Sequence, residues 1–116
     1  MKDDQTVTGE VGAGRKAPQH VHPREVAIGA ALAALADPVR LAIVRELAAA
    51  PDWSMLCGSF HVPVGKATLS HHFAVLREAG LIEQRDEGAR RSNRLRRDDF
   101  DRRFPGLLAL VLDASG

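Results

Sequence analysis

The sequence predicts a mainly α-helical domain that carries one small β-hairpin. Apolar residues recur at i, i+4 and i+7 within one stretch, namely Leu69, Phe73 and Leu76. This period predicts a helix over Lys66–Ala79, and Gly80 follows it, where a residue without Cβ turns left-handed at low cost and ends the helix. Two strand-like runs come next, Leu81–Arg85 and Ser92–Arg96. A helix followed by such a hairpin is the arrangement of a winged helix-turn-helix.

The polar face of the predicted helix has the side chains that reading DNA requires. It carries Lys66, Thr68, Ser70, His71, Ala74 and Arg77. Long cations reach phosphates, short hydroxyl and imidazole groups read base edges, and a small residue allows close approach. Because the N-terminal end of such a helix enters the major groove first, we predict base contacts from Lys66, Ala67, Thr68, Ser70 and His71. The alternative is the solvated face of an ordinary core helix.

Two further side chains of this helix are expected to act differently. Arg77 lies two turns beyond the base-reading positions, so we predict that it meets phosphate or the surroundings of Glu78 rather than a base. His72 lies beside Leu69 and Phe73 on the helical wheel. We therefore predict that His72 is buried and packs in the core.

The hairpin is rich in arginine, although the net charge of the whole chain is only +1. Its arginines are Arg85, Arg90, Arg91, Arg94, Arg96 and Arg97. A local basic patch matters more for DNA binding than the total charge. We predict that Arg90, Arg91 and Arg94 hold phosphates or the adjacent minor groove, and the alternative is a solvated hairpin. Ser92 and Asn93 predict loose packing of the second strand.

Two motifs resemble the ArsR/SmtB family of bacterial repressors. The first is Ser70-His71-His72-Phe73-x-x-Leu76-Arg77-Glu78-Ala79-Gly80-Leu81-Ile82, which resembles the recognition helix of that family. The second is Leu35-Ala36-Asp37-Pro38-x-Arg40-Leu41-x-Ile43, which resembles its opening helices. Together with the hairpin, the resemblance covers roughly residues 24–97.

The resemblance implies a homodimeric repressor that binds double-stranded DNA at an inverted repeat. The resemblance does not identify an effector, and we leave the effector unknown. Metal sensors of that family use either paired thiolates before the recognition helix or histidine and carboxylate ligands in the C-terminal helix. This chain has only one cysteine, Cys57, before the recognition helix, and it has no histidine after Asp98.

The remaining N-terminal elements follow from local signals. Residues 1–22 contain glycine, proline and mixed charges without periodicity, and we expect a disordered arm. The winged helix-turn-helix domain then covers residues 23–97, with a first helix at Arg24–Ala36. A second helix begins at Asp37-Pro38, where Asp caps and Pro occupies the first turn, and reaches about residue 50. A short third helix is predicted at Trp53–Phe60, before the turn of the helix-turn-helix.

Residues 98–116 are expected to form a C-terminal helical segment that dimerises together with the first helix. Its apolar residues are Phe100, Phe104, Leu107, Leu108, Val111 and Leu112. We expect Asp98 to cap this helix, with Asp101 at the third position, and Pro105 to interrupt it. The alternative is packing within one chain.

Composition limits the classes of protein. The chain has 116 residues, 45% of them hydrophobic and 27% charged, which fits one globular domain. It has no apolar run near the ~20 residues that cross a bilayer. Its single cysteine cannot build a disulfide framework. We therefore expect a cytoplasmic protein with no membrane partner and no cofactor.

Other functions depend on single residues. No metal site is predicted. Cys57 and His61, at i and i+4, are candidates for half of one, which only a second subunit or His20 and His22 would complete. A structural thiol is the favoured interpretation of Cys57, and a redox sensor is the other alternative. An enzyme is not predicted, because the adjacent Ser70 and His71 would point about 100° apart on a helix. A winged-helix adaptor that binds proteins instead of DNA is a further alternative, and the arginine-rich hairpin disfavours it.

Overall fold

A computed structural model describes residues 16–114 of the chain. The helices are α1 (Ile28–Ala36), α2 (Pro38–Ala48), α3 (Lys66–Glu78), α4 (Arg97–Arg103) and α5 (Leu107–Asp113). The strands are β1 (Met55–Leu56), β2 (Ile82–Glu87) and β3 (Arg90–Leu95), which form one antiparallel sheet in the order β1-β3-β2. Within this part of the chain, no helix combines the length and the apolar character needed to span a membrane. The architecture is a winged helix-turn-helix, as predicted.

The start of α2 is confirmed and the start of α1 is not. Asp37 Oδ2 accepts hydrogen bonds from the backbone N–H groups of Val39 and Arg40, at 2.9 and 3.0 Å, and Pro38 occupies the first turn. The first helix begins at Ile28 instead of Arg24, because Pro23–Glu25 forms a separate 3₁₀ turn. Val26 follows that turn in an extended conformation and is buried in the core.

Helix α3 occupies the predicted range and ends in a Schellman motif. The N–H of Leu81 donates to the carbonyl of Leu76 at 3.0 Å, and the N–H of Gly80 donates to that of Arg77 at 3.1 Å. Gly80 has a φ of 73°, and a Cβ at this position would lie 2.9 Å from Cα of Pro23. Gly80 therefore ends the helix, and its lack of a Cβ allows the 3₁₀ turn at Pro23–Glu25 to pack closely against it.

The predicted third helix, Trp53–Phe60, is wrong. Met55 and Leu56 form β1, which pairs with Asn93 and Ser92 of β3, and a 3₁₀ turn follows at Cys57–Ser59. Trp53 has a left-handed φ of 65°, and its N–H donates to the carbonyl of Asn93 at 3.0 Å. The segment lacks a strong local helical signal, so pairing with a strand distant in sequence decides its conformation.

The hairpin is longer than predicted. Strands β2 and β3 are joined by Gly88 and Ala89, and Ile82 lies opposite Leu95, with both side chains buried. Ser92 and Asn93 are also fully buried, and the predicted loose packing of the second strand stays a prediction.

The C-terminal segment packs into the same core as the rest of the domain. Phe100, Phe104 and Leu108 are buried there. The predicted interruption at Pro105 is confirmed, since it lies between α4 and α5. The predicted cap is wrong: Arg96 occupies the N-cap position of α4, and Asp98 lies inside the first turn.

The predicted disordered arm falls largely outside the described residues, which begin at Lys16. Its last part, residues 16–22, differs from the prediction because it lies against α3 and β2. The N–H of Val21 donates to the carbonyl of Arg77 at 3.3 Å, and the N–H of Gln84 donates to Nε2 of His20 at 2.9 Å. We call residues 16–22 the N-terminal strap.

Candidate nucleic-acid interface

The N-terminal half of α3 presents an uninterrupted exposed polar face. Its exposed side chains are Lys66, Ala67, Thr68, Ser70 and His71, the five predicted base-contact residues. Gly65 precedes them at the N-cap and supplies no side-chain cap, so the first-turn N–H groups stay available to water or phosphate. The structure therefore brings these five residues together on one accessible surface.

His72 lies on the opposite side of α3 and is only 7% exposed, as predicted. Its Nδ1 is 3.1 Å from Nη1 of Arg40, and its Nε2 is 3.9 Å from a carboxylate oxygen of Asp37. Arg40 also donates to the carbonyls of Ala33 and Ala34, at 3.1 and 2.8 Å. Arg40 thus holds the end of α1 and the back of α3 together, and is occupied within the domain.

Arg77 holds the strap and the wing. Its Nε donates to the carbonyl of Gln19 at 2.9 Å, and its Nη1 donates to Oε1 of Gln84. Burial, and then the nearby charge of Arg91, lower the pKa of Arg77 below its ordinary value. A contact between Arg77 and DNA phosphate stays a prediction, since Nε and Nη1 of this guanidinium already donate to internal partners.

The wing arginines do not form one open basic patch. Arg91 pairs with Asp86 at 2.8 Å, and Arg94 pairs with Glu83 at 2.6 Å. Such pairing reduces the charge that these guanidinium groups offer to phosphates. Arg90 is the exception, because it is exposed and its guanidinium has no hydrogen-bond or carboxylate partner within residues 16–114.

Three other arginines of the basic stretch are also engaged. Arg85 pairs with Glu87 at 2.6 Å and lies 4.2 Å from the ring centroid of Trp53. Arg96 pairs with Asp99 at 2.9 Å, and Arg97 donates to the carbonyl of Ala48 at 2.6 Å. Of the hairpin arginines, Arg90 is the best placed to meet DNA.

A polar cluster of the half-buried Cys57 with the buried Gln84 and Asn93 lies beneath this surface, and the sequence analysis missed it. The Gln84 amide donates to Oδ1 of Asn93 at 2.8 Å and to Sγ of Cys57 at 3.2 Å, while the Asn93 amide donates to the carbonyl of Met55 at 2.9 Å. The available signal was strand alternation, since Gln84 shares a face with the buried Ile82. The cluster joins all three strands.

The proposed pair of metal ligands loses its geometric basis. Cys57 begins a 3₁₀ turn and Phe60 is extended, so Cys57 and His61 are not one helical turn apart. His61 instead lies with Nδ1 3.2 Å from Oε1 of Glu46. Among the residues that the structure describes, no group of three or more His, Cys, Asp or Glu side chains is arranged to hold a metal ion.

Comparison with known proteins agrees with this geometry. A family model described as a helix-turn-helix domain matches residues 35–85, from the end of α1 through α3 into β2. The chain is also 39% identical over 77 residues to the uncharacterized HTH-type transcriptional regulator YceK of Bacillus subtilis (strain 168), an alignment that covers 65% of this chain and 76% of the relative. The chain therefore belongs to the helix-turn-helix family of DNA-binding transcriptional regulators.

Proposed function

We propose that the protein binds an inverted-repeat operator as a homodimer and represses transcription by occupying a promoter. The observation that carries this proposal is the exposed face of α3, where Thr68, Ser70 and His71 stand beside Lys66 with no internal partner bonded to their side chains within residues 16–114. Such side chains read base edges when a helix lies in the major groove.

The contacts divide into two kinds. Thr68, Ser70 and His71 read bases, and Ala67 allows the helix backbone to approach the groove. Lys66 and Arg90 contact phosphates, which adds affinity without sequence preference. Two symmetric copies of α3 would enter successive major grooves about one helical turn apart, since dimer symmetry matches the symmetry of the site.

The dimer interface that we propose includes α1 and α5. The exposed large apolar side chains of the described chain are Ile28 and Leu32 on α1 and Leu110 on α5, with exposed fractions of 51%, 49% and 68%. Exposed apolar groups of this kind favour burial against a partner. A second copy would cover them and place two recognition helices in one assembly.

The repressor role, and membership of the ArsR/SmtB branch, remain part of the proposal and depend on the two sequence motifs. The cytoplasm is the proposed location, because the proposed target is genomic DNA. We assign no effector under this heading.

The test measures binding of the full chain to duplexes from its own promoter region and to shuffled duplexes of equal length. Fluorescence anisotropy at several salt concentrations would give both affinity and salt dependence. We expect tight binding to one promoter duplex, with a stoichiometry of two chains per site. Equal affinity for promoter and shuffled duplexes would contradict sequence-specific regulation.

A protein-binding adaptor is the second candidate, and one observation favours it. Arg91 and Arg94 are paired with Asp86 and Glu83, which leaves less free positive charge on the wing than the sequence indicates. An adaptor would bind neither duplex measurably at physiological salt, whereas the proposed regulator binds its operator there.

A further inference from the structure

A cleft of about 720 Å³ separates α3 from the wing on the proposed DNA-facing side. It is lined by four segments: residues 56–59, one side of α3, Gln84 of β2, and residues 89–91 at the tip of the wing. Its volume lies within the range of sites that enclose small organic molecules. The helix-turn-helix function does not require such a cleft.

The cleft combines an apolar wall with several cationic side chains, of which Arg91 is paired with the carboxylate of Asp86 at 2.8 Å. Leu56, Leu69 and Phe73 supply apolar surface. The four cations of the lining are Lys66, Arg77, Arg90 and Arg91, and no aspartate or glutamate is among the described lining residues. Binding sites of small molecules usually pair a largely apolar lining with a few polar groups that fix orientation.

The cations of the cleft retain unused capacity for an anion. Lys66 and Arg90 are exposed and have no bonded partner within residues 16–114. A guanidinium has five N–H groups, and the bonds of Arg77 use only two of them, Nε and Nη1. Burial, and then the nearby charge of Arg91, lower the pKa of Arg77 below its ordinary value. An anion beside this guanidinium would favour its charged form.

We propose that the cleft binds a small organic anion, a carboxylate or sulfonate attached to an apolar body, and that the bound anion excludes DNA. The apolar body lies against Leu56, Leu69 and Phe73, and the anionic group lies among the cations at the mouth. Exclusion follows because Lys66, Ser70 and Arg90 line the cleft and also belong to the proposed DNA surface. The competition with DNA rests on the proposed function, whereas anion binding does not.

The first experiment measures anion binding to the full chain without DNA. The probe is 8-anilinonaphthalene-1-sulfonate, whose fluorescence rises in apolar surroundings, and the competitors are decanoate, the uncharged decanol and inorganic phosphate. We expect displacement of the cleft-bound probe by decanoate, and weaker displacement by decanol and phosphate. If phosphate displaced the probe as well as decanoate does, the proposal would be overturned, because the cations would then bind phosphate without any contribution from the apolar wall.

Two variants locate the site. Lys66→Ala with Arg90→Ala removes two free cations, and we expect decanoate affinity to fall about tenfold or more, since each charge-assisted bond is worth about that factor. Gly58→Phe adds a bulky side chain to the lining of the cleft and keeps both cations. A Cβ at Gly58 meets nothing within 4 Å, so the backbone leaves room for the start of a side chain there. We expect this variant to lose decanoate binding.

The matched control is Arg24→Ala with Arg102→Ala, which removes the same charge from a different surface. It should bind decanoate within about twofold of the wild type. Unchanged decanoate binding by both cleft variants would overturn the proposal, because the ligand would then lie elsewhere, for example on the exposed apolar residues of α1.

The second experiment separates the inference from the proposed function. Decanoate is titrated into the complex with promoter DNA, and we expect the apparent Kd for DNA to rise for the wild type but not for Gly58→Phe. DNA binding without decanoate binding would refute the cleft site and leave the proposed DNA-binding function standing. Decanoate binding without DNA binding would refute the proposed DNA-binding function and leave the cleft site standing. Simultaneous binding of both without competition would refute the exclusion of DNA.

Discussion

Nη1 of Arg40 lies 3.1 Å from Nδ1 of the buried His72, and this contact joins the first turn of α2 to the back of the recognition helix α3. The same guanidinium donates to the carbonyls of Ala33 and Ala34 at the end of α1. One side chain therefore sets the relative positions of the proposed dimerisation helix and the proposed DNA-reading helix.

Arg40→Ala should destabilise the domain by roughly 2–3 kcal/mol, because it leaves two carbonyls and a buried imidazole without their donor or partner. Urea unfolding measures the change. Arg102→Ala is the control, since it removes an exposed arginine. Equal stability of the Arg40 and Arg102 variants would show that the network contributes nothing.

Asp37→Ala should lower stability in a pH-dependent manner. Hydrogen bonds from the backbone, first that of Arg40, lower the pKa of Asp37 below its ordinary value. A lowered carboxyl pKa contributes stability that is fully present above the unfolded pKa of about 3.9 and is lost as the pH falls through the folded pKa. The free energies of unfolding of wild type and variant should therefore differ by about 1 kcal/mol at pH 6 and converge in strong acid. A gap that stays constant down to pH 2 would contradict this role.

Ser70→Ala and His71→Ala should each weaken operator binding by about 1–3 kcal/mol and leave random DNA nearly unaffected, because base contacts supply the sequence preference. Anisotropy titrations on both duplexes measure the ratio. His61→Ala, which changes an exposed histidine outside α3, is the control. An equal loss on random DNA would remove the base-reading role.

Arg90→Ala and Arg91→Ala should differ from each other, although the two residues are neighbours. Arg90 is free to release a counterion on phosphate contact, so its loss should reduce the salt slope by about 1. Arg91 is paired with Asp86 and bonded to the strap, so its loss should change the slope less. Slopes that fall equally would show that the pair with Asp86 opens on DNA.

Gly80→Ala should cost roughly 1–3 kcal/mol of stability, because φ is 73° and a Cβ would approach Pro23 to 2.9 Å. Thermal unfolding of this variant is compared with that of Gly58→Ala, whose new Cβ meets open space. If both variants unfold at the same temperature, the close approach to Pro23 does not contribute to the cost of the substitution.

The elements that local pattern determines were predictable. The period of Leu69, Phe73 and Leu76 and the stop at Gly80 placed α3 correctly, and the Asp37-Pro38 pair placed the start of α2. The exposed face of α3 followed from the same period, so the five residues predicted to contact bases lie on one accessible surface.

The elements that depend on distant partners were not predictable. Residues 53–60 lack a strong local signal, and their strand forms only because β3 offers a partner at Ser92 and Asn93. The free positive charge of the wing was overestimated for a similar reason. Glu83 and Asp52, which approach Arg94 to 2.6 and 3.4 Å, lie 11 and 42 residues away in the chain.

The N-terminal strap has a practical consequence for anyone who attaches a tag or fluorophore. The carbonyl of Lys16 accepts a hydrogen bond from Arg91 of the wing at 2.9 Å, so a tag joined directly to Lys16 would begin beside the proposed DNA surface. At the other end, the carbonyl of Ala114 accepts a bond from Arg45 of α2 at 2.7 Å. A tag joined directly to Ala114 would begin beside α5 and the proposed subunit contact. Once Cys57 has been replaced by serine, a dye on a cysteine introduced at Arg102, an exposed position on α4, avoids both surfaces.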